Sequence, residues 1–396
     1  MGGTGPETIS DIFEFVHSTR RVIVAPGALE RLPGLAKDIG VERAAIVIDE
    51  FFAGGAVEQR LRKLLDPVLA SPATIHPVPA REPDTKSVEE CRATLAGAEF
   101  DMIVAIGGGS ALDTAKVARM LLSNPGPVEA ISGFALVMQP HPSTLVCIPT
   151  TAGTGSEVSE SAVIGLKGSD AKLIYRSPEM SAAIAILDAQ LSVSAPPSVT
   201  ASAGYDAVTH AVEAYVSNSA SPMTDPMALS AMEILAKYLP TAFREPKNLE
   251  ARGACLVAAA QAAIAFNSAN LGLAHAISGP LGALFDVAHG LGNAIVLPAV
   301  AAYNAPVLGA KGDVIARIFG GPTAAAGLSR LRHEVDLDVG LDAFVPNDEG
   351  FETLAQMAMK SGQVRMNPRQ ANIEHMRAIL AACRTPSGAE PPVVEV

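Results

Sequence analysis

Asp206 and His210 lie four residues apart in the stretch GYDAVTHAVEAY. Residues at this spacing share one face of a helix, so a carboxylate and an imidazole one turn apart could bind one cation. The neighbouring residues are small and apolar, and burying an aspartate among them costs free energy unless it is paired or bound to a metal. An Asp–His hydrogen bond inside a packed helix is the alternative interpretation of such an isolated motif.

Two further histidines, His275 and His289, lie in the stretch GLAHAISGPLGALFDVAHGLGNA. One straight helix would set them roughly 21 Å apart, at about 1.5 Å per residue, whereas two ligands of one ion lie about 3 Å apart. Gly279-Pro280 separates them, and we expect the helix to end there so that the chain reverses and returns His289 to His275. Asp206 and His210 would complete a site of three imidazoles and one carboxylate, which suits Fe(II), Zn²⁺ or Mn²⁺.

A glycine-rich turn follows an apolar run in IVAIGGGSALDTAK, where Gly107, Gly108, Gly109 and Ser110 lie between a predicted strand and a predicted helix. Glycines let backbone N–H groups approach an anion, and the start of the helix, which Ser110 would cap, adds a favourable dipole. The motif therefore favours a phosphate group. Leu112 occupies the last glycine position of GxGxxG, so the Rossmann fingerprint itself is absent, and a tight strand–helix turn is the alternative.

A second polar loop, IPTTAGTGSEVS, follows another predicted strand. Ligands of open α/β sheets bind beyond the carboxyl ends of the strands, so two such loops favour a phosphate-bearing cofactor. Asp49 ends a third run, AAIVID. An acid there can accept hydrogen bonds from an adenosine ribose and repel a 2′-phosphate, which favours NAD over NADP. Taken alone, Asp49 is more typical of a helix cap.

The elements that must position these residues follow from the order of the apolar patterns. Strands are predicted at 21–26, 44–49, 73–78, 101–108, 144–149 and 182–188, and helices at about 28–39, 55–68, 85–97 and 110–122. This alternation predicts a parallel sheet with helices on both faces, and residues 161–175 predict a hairpin. From about residue 192, long Ala-rich stretches predict helices only. We therefore expect an α/β, Rossmann-like dinucleotide-binding domain over 1–191 and an all-α metal-binding domain over 192–396.

The composition argues against several classes of protein. The formal net charge is −12 and no Lys/Arg cluster stands out, which argues against a nucleic-acid partner. The N-terminus lacks the basic and apolar regions of a secretory signal, and we expect no apolar run long enough to span a membrane. The four cysteines have no CxxC spacing, so we expect reduced thiols in a cytoplasmic protein, with Cys147 in the core.

With these motifs assembled, the chain resembles the iron-containing (group III) alcohol dehydrogenase family. The resemblance covers nearly the whole chain and is carried by GGGSALDTAK, IPTTAGTGSEVS, SPEMSAAIAILDAQL, GYDAVTHAVEAY, the stretch with His275 and His289, and MNPRQANIEHMRAIL. It implies a dehydroquinate synthase-like architecture, with an N-terminal nucleotide domain, a helical C-terminal domain and a metal in the cleft. It also implies a homodimer or a higher homo-oligomer.

The resemblance also implies roles for individual residues. Asp206, His210, His275 and His289 match the metal ligands through which the family catalyses its reaction. The expected cofactor contacts are Asp49 at the ribose, Gly107, Gly108, Gly109 and Ser110 at the pyrophosphate, Asp113 on the same helix, Thr150, Thr151 and Thr154 beside the nicotinamide, and Lys172 near its ribose. Ser161 and Phe266 match the lining of the substrate pocket.

Two positions depart from the family pattern. Many members carry another histidine four residues after the third ligand, where this chain has Gly279, so its proton-relay role cannot be carried over and the pocket gains the volume of an imidazole. The usual Asn-Pro after the third strand reads REPDTK here, so Glu82 replaces the asparagine and one cofactor contact is lost or changed.

The combined expectation is a metal-dependent alcohol dehydrogenase or aldehyde reductase that transfers a hydride between NAD(H) and a small alcohol, aldehyde or ketone. Fe(II) is the first expectation for the metal, and Zn²⁺ or Mn²⁺ are alternatives. The rival enzymes are a maleylacetate reductase-like enzyme and a reductase of anionic aldehydes that carry a phosphonate or carboxylate. The rival from another class is a catalytically inactive NAD-binding scaffold.

Overall fold

The computed structural model describes residues 14–133, 137–169 and 171–394. The chain divides into two compact units, Val16–Ser194 and Ala195–Val396, and Phe15 belongs with the second. The expected boundary between residues 191 and 192 falls inside a short helix, Ala189–Ser192, of the first unit.

The first unit contains two sheets. Their strands are β1 Arg21–Val24, β2 Ala44–Asp49, β3 Thr74–Val78, β4 Met102–Gly107, β5 Thr144–Pro149, β6 Ser161–Gly165, β7 Lys172–Arg176 and β8 Ile184–Leu187. The parallel sheet has the strand order β1-β8-β5-β4-β2-β3 among the described residues. The antiparallel sheet pairs β6 with β7, as expected of a hairpin. The predicted α/β class with a parallel sheet is confirmed.

Helices cover both faces of the parallel sheet. They are α1 Leu32–Asp38, α2 Ala56–Leu65, α3 Thr85–Ala96, α4 Gly109–Ser123 and α5 Ala189–Ser192. Alternate residues of β4 face opposite cores: Ile103 packs with α3 and α4, whereas Val104 packs with α1 and α2. This burial on both faces explains why the central strands are continuous apolar runs rather than alternating patterns. Cys147 lies in the first of these cores, as expected.

The second unit is built from helices in the described part of the chain. They are α6 Pro197–Val216, α7 Asp225–Arg244, α8 Leu249–Ala269, α9 Leu273–Phe285, α10 His289–Leu308, α11 Ala310–Phe319, α12 Ala324–Glu334, α13 Asp348–Met359 and α14 Ile373–Ala382. A Cβ on Gly290 would lie 2.1 Å from the Ser202 carbonyl oxygen, so only glycine lets the start of α10 approach α6 this closely. That approach places His289 beside Asp206 on α6.

The predicted helix break at Gly279-Pro280 was wrong. α9 continues through both residues, with Pro280 inside the helix. The chain turns instead at Asp286, which caps α9 in the left-handed conformation with φ 55°, and α10 begins at His289. A proline removes one backbone hydrogen bond and the surrounding packing can hold the helix together, whereas aspartate tolerates the left-handed region better than most residues.

The expectation that no apolar run could span a membrane was also wrong. α8 and α10 are each long and apolar enough by length and composition. In the most apolar window of each helix, 56% of α8 and 72% of α10 is buried, which is typical of the inner helices of a bundle.

Candidate metal centre and nucleotide-binding loops

Three helices of the second unit bring the four predicted ligands together. Asp206 and His210 lie one turn apart on α6, His275 lies in the first turn of α9, and His289 is the first residue of α10. Oδ1 of Asp206 lies 3.8 Å from Nε2 of His210 and 3.6 Å from Nε2 of both other histidines. The two histidines that are distant in the sequence therefore do meet, although the chain turns elsewhere than expected.

The donor set and its spacing fit a divalent metal. Four ligands at about 2.1 Å from an ion in a tetrahedral arrangement lie about 3.4 Å from one another. The three distances from Asp206 Oδ1, 3.6–3.8 Å, come close to this value, and the ligand atoms of Asp206, His210 and His275 all lie within 4.8 Å of one another. Three imidazole nitrogens with one carboxylate oxygen suit Fe(II) or Zn²⁺. Asp206, His210 and His275 are buried, whereas the His289 side chain is 35% exposed, so the centre is accessible on the His289 side.

Glu213, which the sequence reasoning missed, holds His275 from behind. Its Oε2 lies 2.6 Å from Nδ1 of His275, and its Oε1 accepts a hydrogen bond of 2.7 Å from the Ala274 N–H. A carboxylate only accepts, so Nδ1 carries the proton and Nε2 faces the Asp206 carboxylate. The signal was present in GYDAVTHAVEAY, because Glu213 follows Asp206 by seven residues and therefore lies on the same face of α6.

Burial and neighbouring charges determine the protonation of the ligands. Burial opposes ionisation of Asp206, but the surrounding imidazoles outweigh it and hold the pKa of the carboxyl well below its ordinary range. Burial lowers the pKa of His210 to about 4. Burial acts in the same direction on His275, but hydrogen bonds to Asp206 and Glu213 raise its pKa to about 9. An ionised Asp206 beside a neutral His210 is the state in which both bind a cation.

Two of the predicted pocket residues lie in the same unit as the metal ligands. The ring of Phe266, on α8, lies 4.6 Å from the ring of His210, centroid to centroid. Gly279 lies one turn after His275 on α9, and a Cβ there would meet no atom of the described residues within 4 Å. Ser161, in the first unit, begins β6, and its carbonyl accepts a hydrogen bond from Lys116.

The glycine loop of the first unit is shaped as an anion cradle. A Cβ on Gly107 would lie 2.8 Å from Cβ of Asp49, and one on Gly109 would lie 2.8 Å from Cγ2 of Thr154. Gly107 has φ 151°, a conformation that favours glycine. Thr151 lies against Gly108, and Thr150 donates its N–H to the Gly107 carbonyl. Asp49, the glycines and the threonines, which the sequence placed on three separate strands, therefore form one cluster.

The first turn of α4 is open to an anion. The helix begins at Gly109 with Gly108 as its N-cap, and no side chain of the described residues caps it. The expectation that Ser110 caps the helix was wrong, because Ser110 already lies within the first turn. The N–H groups of this turn, with the helix dipole, are the donors that a pyrophosphate requires.

Asp113 and Lys116 attach α4 to the polar segment Ser156–Val163. Asp113 accepts hydrogen bonds from the Ser156 hydroxyl and the Val163 N–H. Lys116 is fully buried and donates to the carbonyls of Ser159 and Ser161. These bonds hold the second polar loop against the helix that starts at the glycine loop.

Lys172 and Glu82 form an ion pair, with Nζ 2.8 Å from Oε2. Glu82 follows β3 and Lys172 begins β7, and the Gly165 N–H donates to the Pro83 carbonyl beside them. The residue that departs from the family pattern is thus the partner of the lysine expected near the cofactor.

Comparisons with known proteins agree with this arrangement. A family model described as "Iron-containing alcohol dehydrogenase" matches residues 19–189, and one described as "Fe-containing alcohol dehydrogenase family, C-terminal" matches residues 200–383. The chain is 34% identical over 367 residues to the probable alcohol dehydrogenase EutG of Escherichia coli, covering 91% of this chain and 92% of that protein. It is 31% identical over 369 residues to the NAD-dependent methanol dehydrogenase of Bacillus methanolicus, covering 90% and 96%.

A solved structure is similar throughout. The crystal structure of sulfoacetaldehyde reductase from Bifidobacterium kashiwanohense in complex with NAD⁺ has a TM-score of 0.88 at 25% identity and covers 94% of this chain and 99% of that one.

Proposed function

Because the chain belongs to the iron-containing alcohol dehydrogenase family, we propose that it transfers a hydride between NAD(H) and a small, neutral alcohol or aldehyde in a metal-dependent reaction. The observation that carries the proposal is the cluster of one carboxylate and three imidazoles on α6, α9 and α10. A divalent cation there would act as a Lewis acid toward the substrate oxygen, and NAD(H) would accept or supply the hydride.

The chain's own residues prepare the reaction. Glu213 fixes the tautomer of His275, and the ring of Phe266 packs against the ring of His210. Gly279 carries no group that could transfer a proton, so we propose that the alcohol proton leaves through water or the ribose hydroxyls. The exposed side of His289 gives the substrate its access to the centre.

We propose NAD(H) rather than NADP(H) as the cofactor. Asp49 lies directly beside Gly107, so its carboxylate would meet the ribose attached to a pyrophosphate bound by the glycine loop. Burial raises the pKa of Asp49 above its ordinary value, yet its hydrogen bond from the Phe51 N–H favours the ionised form. A 2′-phosphate would meet this charge.

We propose a neutral substrate because Lys172, the cation expected near the nicotinamide, is neutralised. Glu82 pairs with Lys172 at 2.8 Å, so the lysine is not free to bind a sulfonate or carboxylate. Reduction of an anionic aldehyde is the second candidate, favoured by the similarity to the sulfoacetaldehyde reductase. One variant distinguishes the two candidates. Glu82→Asn would release Lys172 and should raise the ratio of kcat/KM for anionic aldehydes to kcat/KM for neutral ones.

The decisive experiment reconstitutes metal-free protein with Fe(II), Zn²⁺ or Mn²⁺ and follows NADH oxidation with a panel of neutral and anionic aldehydes. We expect activity only with metal, and none in His275→Ala. The matched control is His333→Ala, because the His333 side chain is 60% exposed on α12. Activity that survives chelation and His275→Ala would refute the metal role, and NADH binding without turnover on any substrate would favour the inactive scaffold.

We also propose that the protein works in the cytoplasm as a homodimer or higher homo-oligomer. Its cysteines are all free and buried, which fits a reducing compartment. Light scattering on the purified protein and cell fractionation would test the two statements separately.

A further inference from the structure

A fifth polar side chain lies among the metal ligands. Asn293 follows His289 by one turn of α10 and is fully buried. Its Nδ2 lies 2.8 Å from Oδ1 of Asp206, 3.2 Å from Nε2 of His275 and 3.4 Å from Nε2 of His289. Each of these is an atom that the ligand set directs toward the metal.

The chemistry of the amide decides which of these contacts can persist in the loaded protein. An amide nitrogen only donates, and an imidazole Nε2 has one lone pair, which a bound cation takes. A carboxylate oxygen has two lone pairs, so Oδ1 of Asp206 can bind a cation and still accept from Asn293. The bond from Asn293 to Asp206 is also the shortest of the three, at 2.8 Å.

Asn293 also covers one side of the ligand set. The three atoms near its Nδ2 belong to Asp206, His275 and His289, so the amide lies against the face that these three atoms define. A nitrogen that donates cannot act as a ligand on that face, and a water or substrate oxygen cannot occupy the same space.

Asn293 lowers the stability of the fold in a way that an apolar residue would not. Its Oδ1 is buried and has no hydrogen-bond partner among the described residues. A buried acceptor without a partner destabilises the fold. Asn293 therefore destabilises the fold through its oxygen, while its NH₂ group contacts the proposed metal ligands. This combination indicates a role in the site rather than in packing.

We propose that Asn293 is a positioning residue of the metal centre. It orients the Asp206 carboxylate through Oδ1 and closes one side of the ligand set, so that the substrate oxygen must approach from another side. This inference rests on the proposed metal-dependent function.

The test measures metal binding without turnover. Metal-free wild type, Asn293→Ala and Asn293→Ser are titrated with Co²⁺, with its visible absorption bands and competition by a chelator as readouts. We expect each substitution to weaken Co²⁺ binding about 10- to 100-fold, the range for residues that orient metal ligands. We also expect weaker absorption bands, because water entering the uncovered side raises the coordination number.

A matched control lies on the same helix. Asn304 is also buried on α10, and it exchanges hydrogen bonds of 3.0 and 2.7 Å with Asn367, far along the helix from His289. Asn304→Ala should lower the melting temperature but leave Co²⁺ affinity within about twofold of wild type, since it removes a buried asparagine without touching a metal ligand.

A third variant keeps the proposal refutable if the smaller side chains prevent folding. Asn293→Asp places a carboxylate beside Asp206, so Mn²⁺ affinity should rise relative to Co²⁺, because oxygen ligands suit Mn²⁺. Wild-type affinity and spectra in all three variants, or an equal loss in Asn304→Ala, would overturn the inference. Failure of the wild type to bind Co²⁺ would instead overturn the proposed function.

Discussion

Glu213→Gln is the substitution that most directly tests how the proposed metal centre is held. Glutamine has nearly the shape of glutamate but offers one carbonyl oxygen and one NH₂ group where glutamate offers two acceptors. Glu213 uses both acceptors, one for the Ala274 N–H and one for His275 Nδ1. The variant can satisfy only one of these donors, and the other then faces an NH₂ group.

The magnitude follows from that mismatch. A buried donor that loses its acceptor costs about 1–3 kcal/mol. If His275 Nδ1 keeps its acceptor and the Ala274 N–H loses its own, mainly the free energy of unfolding decreases. If His275 loses its acceptor, its ring is free to rotate, and the same cost corresponds to about a 5- to 150-fold loss of metal affinity at 1.4 kcal/mol per tenfold. Loss of the negative charge beside the ligand acts in the same direction.

The assay separates the two outcomes. Zn²⁺ affinity is measured by competition with a chelating dye, and the free energy of unfolding of the metal-free protein is measured in urea. We expect Zn²⁺ affinity to fall about 5- to 150-fold in Glu213→Gln, and Glu213→Ala to bind still more weakly. The control is Glu233→Gln, the same change at an exposed position of α7, which should alter neither quantity by more than about 0.5 kcal/mol.

Wild-type Zn²⁺ affinity in both Glu213 variants would refute the reasoning. It would mean that packing alone fixes the His275 ring, and the carboxylate would then be a structural partner of the Ala274 N–H only.

Three further predictions concern other parts of the chain. Burial raises the pKa of Glu157 from 4.5 to about 7, so the free energy of unfolding of the wild type should fall as pH rises between these values. In urea unfolding, Glu157→Gln should not show this fall. It should be more stable than the wild type by up to about 3 kcal/mol at pH 8, but not at pH 4. Asp49→Ser should lower the ratio of kcat/KM for NADH to that for NADPH at least about tenfold, and an unchanged ratio would contradict the ribose assignment. Gly279→His should fold with a stability within about 1 kcal/mol of wild type, because its Cβ meets open space, and should lower kcat/KM for bulky aldehydes more than for acetaldehyde.

The sequence predicted the elements well where local pattern is sufficient. The buried strands appear as apolar runs because both faces of a parallel sheet are covered, and AAIVID and DMIVAIGG are strands as expected. The Ala-rich second half is helical, and Asp206 and His210 share a helix face.

The partners of the ligands could not be predicted in the same way. Glu213 lay inside a motif already singled out, but its spacing indicates only the helix face and not which side chain lies behind it. Asn293 carries no sequence signal beyond its position after His289, because its role depends on three atoms from three helices. Such contacts are set by how the helices cross.

The sequence by itself determined the order of strands and helices, the glycine-rich turn and the four residues of the proposed metal centre, because these depend on periodicity and on side-chain chemistry. Tertiary structure alone decided where the chain turns between His275 and His289. Gly279-Pro280 is the stronger local signal for a turn, but packing keeps α9 intact through it, and the left-handed Asp286 makes the turn instead. Tertiary structure also paired Lys172 with Glu82, because these residues are distant in the chain and meet only where the hairpin lies beside the loop after β3.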